Sequence, residues 1–237
     1  MRLKHITFTG IDAHTDILEL QAIQQQYPIA EFGVLTSYHW YENGNRYLDP
    51  RLIRSLRDID HLSLHICGQA ATDAALGQWD EINYLTYNGL SFFNRFQLNI
   101  SNRDDKPYCV YRALPIYGGG EVIVQTRNAD YADLFHRTEK MWGNLGQFSM
   151  LLDASGGKGV DCPINIYPYS GKIGYAGGIN PDNVADKLTF LFEHVNKGEF
   201  WIDMESGVRT DDWFDLGKVE QVLETCQPII RKYGNNV

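Results

Sequence analysis

Short strand-like runs recur along this chain at a nearly even interval, and that rhythm narrows the possible folds more than any other feature. The runs are His5–Thr9, Glu31–Leu35, His61–Ile66, Arg95–Ile100, Glu121–Gln125, Gln147–Leu152, Lys172–Ala176 and Glu199–Asp203. Each begins roughly 25 to 34 residues after the one before, which is room for one strand, one helix and two loops. Eight such units use up the 237 residues. Parallel strands need crossover connections, and strands alternating with helices indicate an α/β fold. The pattern predicts one domain over residues 1–237, a (β/α)8 TIM barrel, since such barrels take roughly 250 residues. A doubly wound open sheet is the structural alternative. Polar, chemistry-bearing residues after almost every strand favour the closed barrel.

Helix signals fall in the gaps. Thr15-Asp16 precedes the apolar start Ile17–Ile23, and Asp49-Pro50 puts proline at a first turn before Leu52–Leu56. Asn180-Pro181 does the same before Val184–Leu188. Asp215 precedes a periodic run over Leu216–Cys226, and Pro228 marks its expected end. Residues 102–120 and 160–171, each with two prolines, predict irregular crossovers.

A hydrophobic fraction of 43% with 22% charged residues permits a large core and excludes a disordered chain. The net charge of -9 argues against a general nucleic-acid binder. It leaves room for an anionic small molecule at a locally favourable site. Cys67, Cys109, Cys162 and Cys226 have no C-x-x-C spacing, so no zinc or redox motif is indicated. Without a signal-like apolar region or a run of about 18 apolar residues, the chain is expected to be soluble, reduced and cytoplasmic, with no membrane partner.

Two glycine loops carry the first functional signal. Gly177-Gly178 follows the seventh strand, and Ser206-Gly207 follows the eighth. Glycine lets backbone N–H groups approach a ligand closely, and barrels often bind phosphate after these two strands. The expected ligand is a phosphorylated small molecule. A third glycine stretch, Ser155–Gly159, lacks the spacing of a nucleotide P-loop and reads as a loop over the barrel mouth.

The runs Leu151–Gly159, Ala176–Val184 and Asp203–Val208, with looser matches at Asn45–Tyr47 and Phe96–Leu98, resemble the phosphoribosylanthranilate isomerase family. The order and spacing agree across nearly the whole chain. The resemblance implies a TIM barrel that converts an aminoaldose to an aminoketose by proton transfer, with no metal and no organic cofactor. It implies a general acid at the end of strand six, where Asp153 stands. The family's general base is a cysteine at the end of strand one; here the run reads Thr7-Phe8-Thr9-Gly10, and the cysteine position is Thr9. A threonine hydroxyl is far too weakly acidic to be a ready base, whereas a thiol can be tuned to ionise. Arg46 matches a family arginine that helps hold the aromatic acid portion of the substrate.

Other residues could replace the missing base. Period-two alternation puts Ser63, His65 and Cys67 on one face of strand three. His65 has a suitable ordinary pKa and Cys67 could act as a thiolate; equally, both could be satisfied core residues. Asp12 reads as an inward-swinging carboxylate or as a helix-start residue. Arg95, Gln97 and Asn99 share a face of strand four, where three interior polar groups call for a ligand or water. The aromatic loop Tyr38–Tyr41 could cover a ligand or form an interface. Three activities remain open: an isomerase acting on a phosphorylated sugar or aminosugar, a binding or regulatory protein derived from one, and another barrel reaction using His65 or Cys67.

Overall fold

A computed structural model describes residues 2–42, 44–100, 120–126, 148–167 and 171–234. The eight runs form strands β1 (Arg2–Thr9), β2 (Ala30–Thr36), β3 (Leu62–Cys67), β4 (Arg95–Asn99), β5 (Glu121–Thr126), β6 (Phe148–Asp153), β7 (Lys172–Ala176) and β8 (Glu199–Met204). Each pairs in parallel with the next, and β1 closes on β8, giving one closed barrel. Closure buries both faces of every strand. Outward-facing residues such as Ile6, Phe8, Phe32, Val34, Leu64, Phe96 and Leu98 build the main core under the crossovers.

The interior face is far less apolar. At mid-height Ile123, Leu151 and Trp201 cluster together. Trp201 lies across Gly174 of β7, where an added Cβ would come 2.2 Å from the indole; only glycine leaves that space. The N-terminal end is filled by charge. Arg95 Nη1 donates to Glu31 at 2.8 Å, Nε donates to Glu121 at 3.3 Å, and the guanidinium stacks 4.2 Å from the Trp201 ring centroid. Thr7 donates to Glu31, and Ser149 and Lys172 donate to Glu121. The expectation that Arg95 faces ligand or water is therefore corrected. Two carboxylates answer it inside the barrel. Burial pushes Glu31 and Glu121 up, but Arg95 and the hydroxyl donors prevail and hold both below the usual carboxylate range.

The crossovers follow the sequence signals with informative departures. Helix α1 (Ile17–Gln26) starts at Asp16, whose carboxylate accepts from the backbone of Leu18 and Glu19. The Asp49-Pro50 segment forms a 3-10 helix over Pro50–Leu56 rather than an α-helix; its buried residues Pro50, Ile53 and Leu56 recur every third position, the period of that helix. Two short helices, α2 (Gln69–Ala75) and α3 (Asp80–Leu85), follow β3. Helix α4 (Val184–His194) follows β7, and α5 (Leu216–Gly234) follows β8.

The expected end at Pro228 is overturned, because α5 runs through it. The proline deletes one backbone donor, while Ile229, Ile230 and Tyr233 beyond it still pack on the core, and Tyr233 stacks on Phe192. Residues 160–167 have no regular structure, as expected; residues 102–119 of the other proline-rich gap lie outside the described residues. A hairpin of β9 (Arg209–Thr210) and β10 (Trp213–Phe214) turns at Asp211-Asp212, both with positive φ. No helix among the described residues is long and apolar enough to cross a membrane.

Candidate active site

The C-terminal ends of the strands open into a cavity of about 420 Å³, within the range of small-molecule pockets. Thr9, His65, Cys67 and Asp153, the candidate catalytic residues, all line it. So do Arg46, Gln97, Gly177, Gly178, Ser206 and Gly207, the candidate binding residues. Strand periodicity explains the convergence: these side chains occupy inward positions at strand ends, and the loops after β2, β6, β7 and β8 complete the wall. Among the described residues no group of three or more metal-ligating side chains is present.

Asp153 ends β6 and is 4% exposed. Five donors converge on its carboxylate: Gln125 Nε2, the Ser155 backbone N–H and hydroxyl, and the backbone N–H groups of Gly156 and Gly157. The loop Ser155–Gly159 is thus wound onto the carboxylate, which acts here as an acceptor.

The group equipped to hold a proton is Asp203, which is not among the site residues that the sequence singles out. Burial drives its pKa up to about 8, against the Thr9 hydroxyl that donates to it at 2.8 Å, and the nearby charges of Glu31, Glu205 and Asp153 push it further. At neutral pH Asp203 is a carboxylic acid. One oxygen accepts from Thr9, so the other can present a proton to the cavity. The available signal was period two on β8, which places Asp203 and Glu205 inward beside Trp201. Thr9, where the resemblance puts the general base, serves as a donor to Asp203.

His65 and Cys67 face the cavity as the alternation predicts. Burial lowers the His65 pKa to about 4, with Arg95 lowering and Glu31 opposing, so the ring is neutral over the physiological range. Its Nε2 lies 3.1 Å from the Ser63 hydroxyl. Burial raises the Cys67 thiol, against hydrogen bonds from Tyr47 and Asn99. Neither group is an ionised base in this arrangement.

Arg46 is already engaged. It donates to Glu205 and to Asp212, each at 2.9 Å. Asp12 does not reach the cavity, and Asp16 takes the cap position of α1. Asp12 is buried against Arg209 at 3.0 Å and accepts from the Phe214 backbone, which ties the end of β1 to the β9–β10 hairpin. In the aromatic loop, Tyr38 donates to Asp73 and Tyr41 is exposed.

The glycine loops interlock. A Cβ on Gly178, whose φ is +64°, would lie 2.3 Å from the Asp161 backbone nitrogen, and one on Gly207 would lie 2.0 Å from the Ile179 carbonyl oxygen. The two loops and the segment before Cys162 therefore meet backbone to backbone at one rim of the cavity. Helix α4 begins only at Val184, beyond an Asn180–Asn183 turn closed by the Asn183 side chain, so Gly177-Gly178 does not itself open the helix.

No protein-family model matches the sequence, and no curated protein matches it. Among solved structures the chain is similar to N-(5'-phosphoribosyl)anthranilate isomerase from Pyrococcus furiosus, with 15% identity and a TM-score of 0.55 over 94% of this chain and 98% of that one. It is also similar to phosphoribosyl anthranilate isomerase from Thermococcus kodakaraensis, with 16% identity and a TM-score of 0.55 over 94% and 99% of the two chains. At these identities the likeness is one of fold, and the chain shares with those isomerases a phosphoribosylanthranilate isomerase-like (β/α)8 barrel along nearly its whole length.

Proposed function

We propose that this barrel is an acid–base isomerase of a phosphorylated sugar or aminosugar. One observation carries the reading: a protonated carboxyl, Asp203, and a donor-wrapped carboxylate, Asp153, share one cavity at the C-terminal mouth. Aldose–ketose conversion needs a proton delivered at the ring or carbonyl oxygen and another removed from the neighbouring carbon. Asp203 is suited to the delivery; the removal falls to Asp153, one of whose five donors must give way to the substrate, and this reverses the role that the family resemblance implies for Asp153. The rim at Gly177, Gly178, Ser206 and Gly207 is the proposed phosphate seat, where closely packed glycine backbone can face an anion without side chains in the way.

The test is incubation in D2O with phosphoribosylanthranilate and a panel of aldose phosphates, following deuterium incorporation at C1 of the ketose product by NMR. Asp203→Asn and Asp153→Asn should each lower kcat by about 10²–10⁴-fold. Activity should decline as pH rises through about 8, where Asp203 loses its proton. Turnover unchanged in both variants would sink the reading.

A second reading, ligand binding without turnover, is favoured by Thr9, which replaces the family's cysteine and is itself committed to Asp203. It predicts a thermal shift with sugar phosphates and no deuterium incorporation at C1.

A further inference from the structure

Gln97 holds an acceptor that the protein leaves unused. The residue is 3% exposed and lines the cavity, and among the described residues its buried Oε1 has no hydrogen-bond partner. The other end of the amide is engaged: Gln97 Nε2 donates to Asn99 Oδ1 at 2.9 Å, and Asn99 Nδ2 donates to Cys67 Sγ at 3.4 Å.

The cavity's charge points the same way. Among the described residues Asp153 and Glu205 are the acidic side chains that line it beside the protonated Asp203, and the guanidinium there, Arg46, is held by Glu205 and Asp212. A ligand carboxylate would have to pull Arg46 from two carboxylates and would face the lone pairs of Gln97.

We infer that the ligand brings a hydroxyl or N–H donor to Gln97 and carries no carboxylate on its non-phosphate part. Its class is a neutral or amine-bearing sugar phosphate rather than an aryl-acid conjugate. This deepens the reading of the cavity as a sugar-phosphate site and rests on it. A buried acceptor left unpaired by the wrong ligand discriminates on the order of tenfold or more.

The experiment is calorimetric titration with four probes: N-phenyl-1-amino-1-deoxyribitol and its N-(2-carboxyphenyl) counterpart, each with and without a 5-phosphate. Within each pair the carboxylate-free probe should bind at least about tenfold tighter. Gln97→Leu should weaken both probes of a pair by a similar factor, because both carry the same hydroxyl and N–H donors. Gln97→Met, which keeps the length without the acceptor, gives the same comparison should the leucine variant fail to fold. Equal or tighter binding of the carboxylated probes overturns the inference, as does a Gln97→Met protein that binds both as before. Loss of the phosphate preference with the carboxylate preference intact overturns the sugar-phosphate reading alone. Binding of none of the four overturns both.

Discussion

At the N-terminal end of the barrel interior, Arg95 sits between Glu31 and Glu121 with Thr7, Ser149 and Lys172 closing the network. Two residues further along the same strand, Gln97 keeps a buried carbonyl oxygen with no partner among the described residues, and across the cavity Asp203 holds a proton. Both ends bury polar groups in number. At the first the groups are spent on one another; among the described residues His5, whose Nδ1 is unpartnered, is the exception. At the second they are left with capacity to spare. A satisfied buried network specifies structure, whereas unmatched polar capacity in a cavity is capacity for a ligand.

The comparison breaks most visibly at Arg95. Arg95→Met leaves Glu31 and Glu121 buried without their cation and should cost about 3–5 kcal/mol in urea denaturation. The triple variant that also carries Glu31→Gln and Glu121→Gln should recover most of that loss, because the penalty is the unpaired charge rather than a missing contact. A single-variant loss below about 1 kcal/mol would mean that the pairing is not what holds the N-terminal end together.

At the mouth the same class of change should act in the opposite direction. The Asp203 carboxyl has its pKa raised on folding, so the folded chain holds that proton more tightly than the unfolded one. Its contribution to stability is full below the ordinary value of 3.8 and is lost as pH rises through about 8. Asp203→Asn should therefore be more stable than the parent at pH 9, by at least about 2 kcal/mol, while losing activity. Melting curves from pH 5 to 9 check this. Parallel curves for the two proteins would show that Asp203 is not a buried acid.

His65 lies between the two regions, bonded to Ser63 and facing the cavity. Its pKa is lowered on folding, as is that of His5, so their stability contribution is present above 6.5 and lost as pH falls toward about 4. His65→Gln should reduce the loss between pH 6.5 and 4 by on the order of 1–3 kcal/mol, with His5 supplying a remaining share. An unchanged acid limb would place the His65 ring in contact with solvent.

How far these regions could be read from sequence differs for a physical reason. Strand positions are local properties: the run Lys172–Ala176 matches β7 end to end, and the other seven fall within a few residues of theirs. The alternation that turns His65, Cys67 and Gln97 inward is equally local, and it gathered the candidate residues around one cavity. What Arg95 does there is not local, because its partners come from β2 and β5, and Glu31 and Glu121 read in sequence only as strand starts. Asp203 was missed for a similar reason. Its protonation depends on burial and on the charges of Glu31, Glu205 and Asp153, none of which a strand pattern conveys. The helix through Pro228 continues because residues beyond the proline find a core to pack on, which no capping signal announces.

The smallest expected effect is the sharpest comparison. Gln97 and Arg95 are successive inward residues of one five-residue strand, and both are at least nine-tenths buried. Gln97→Leu removes one hydrogen bond to Asn99 but also removes an acceptor that has no partner among the described residues, and replaces both with apolar bulk of similar size. Those terms oppose each other, so the change in stability should stay within about 1 kcal/mol. Urea denaturation of the two strand-four variants side by side measures the difference directly. If Gln97→Leu costs as much as Arg95→Met, then Gln97 belongs to the structural network and its oxygen is satisfied in solution. If it is near neutral, the polarity at that position is kept for something other than folding.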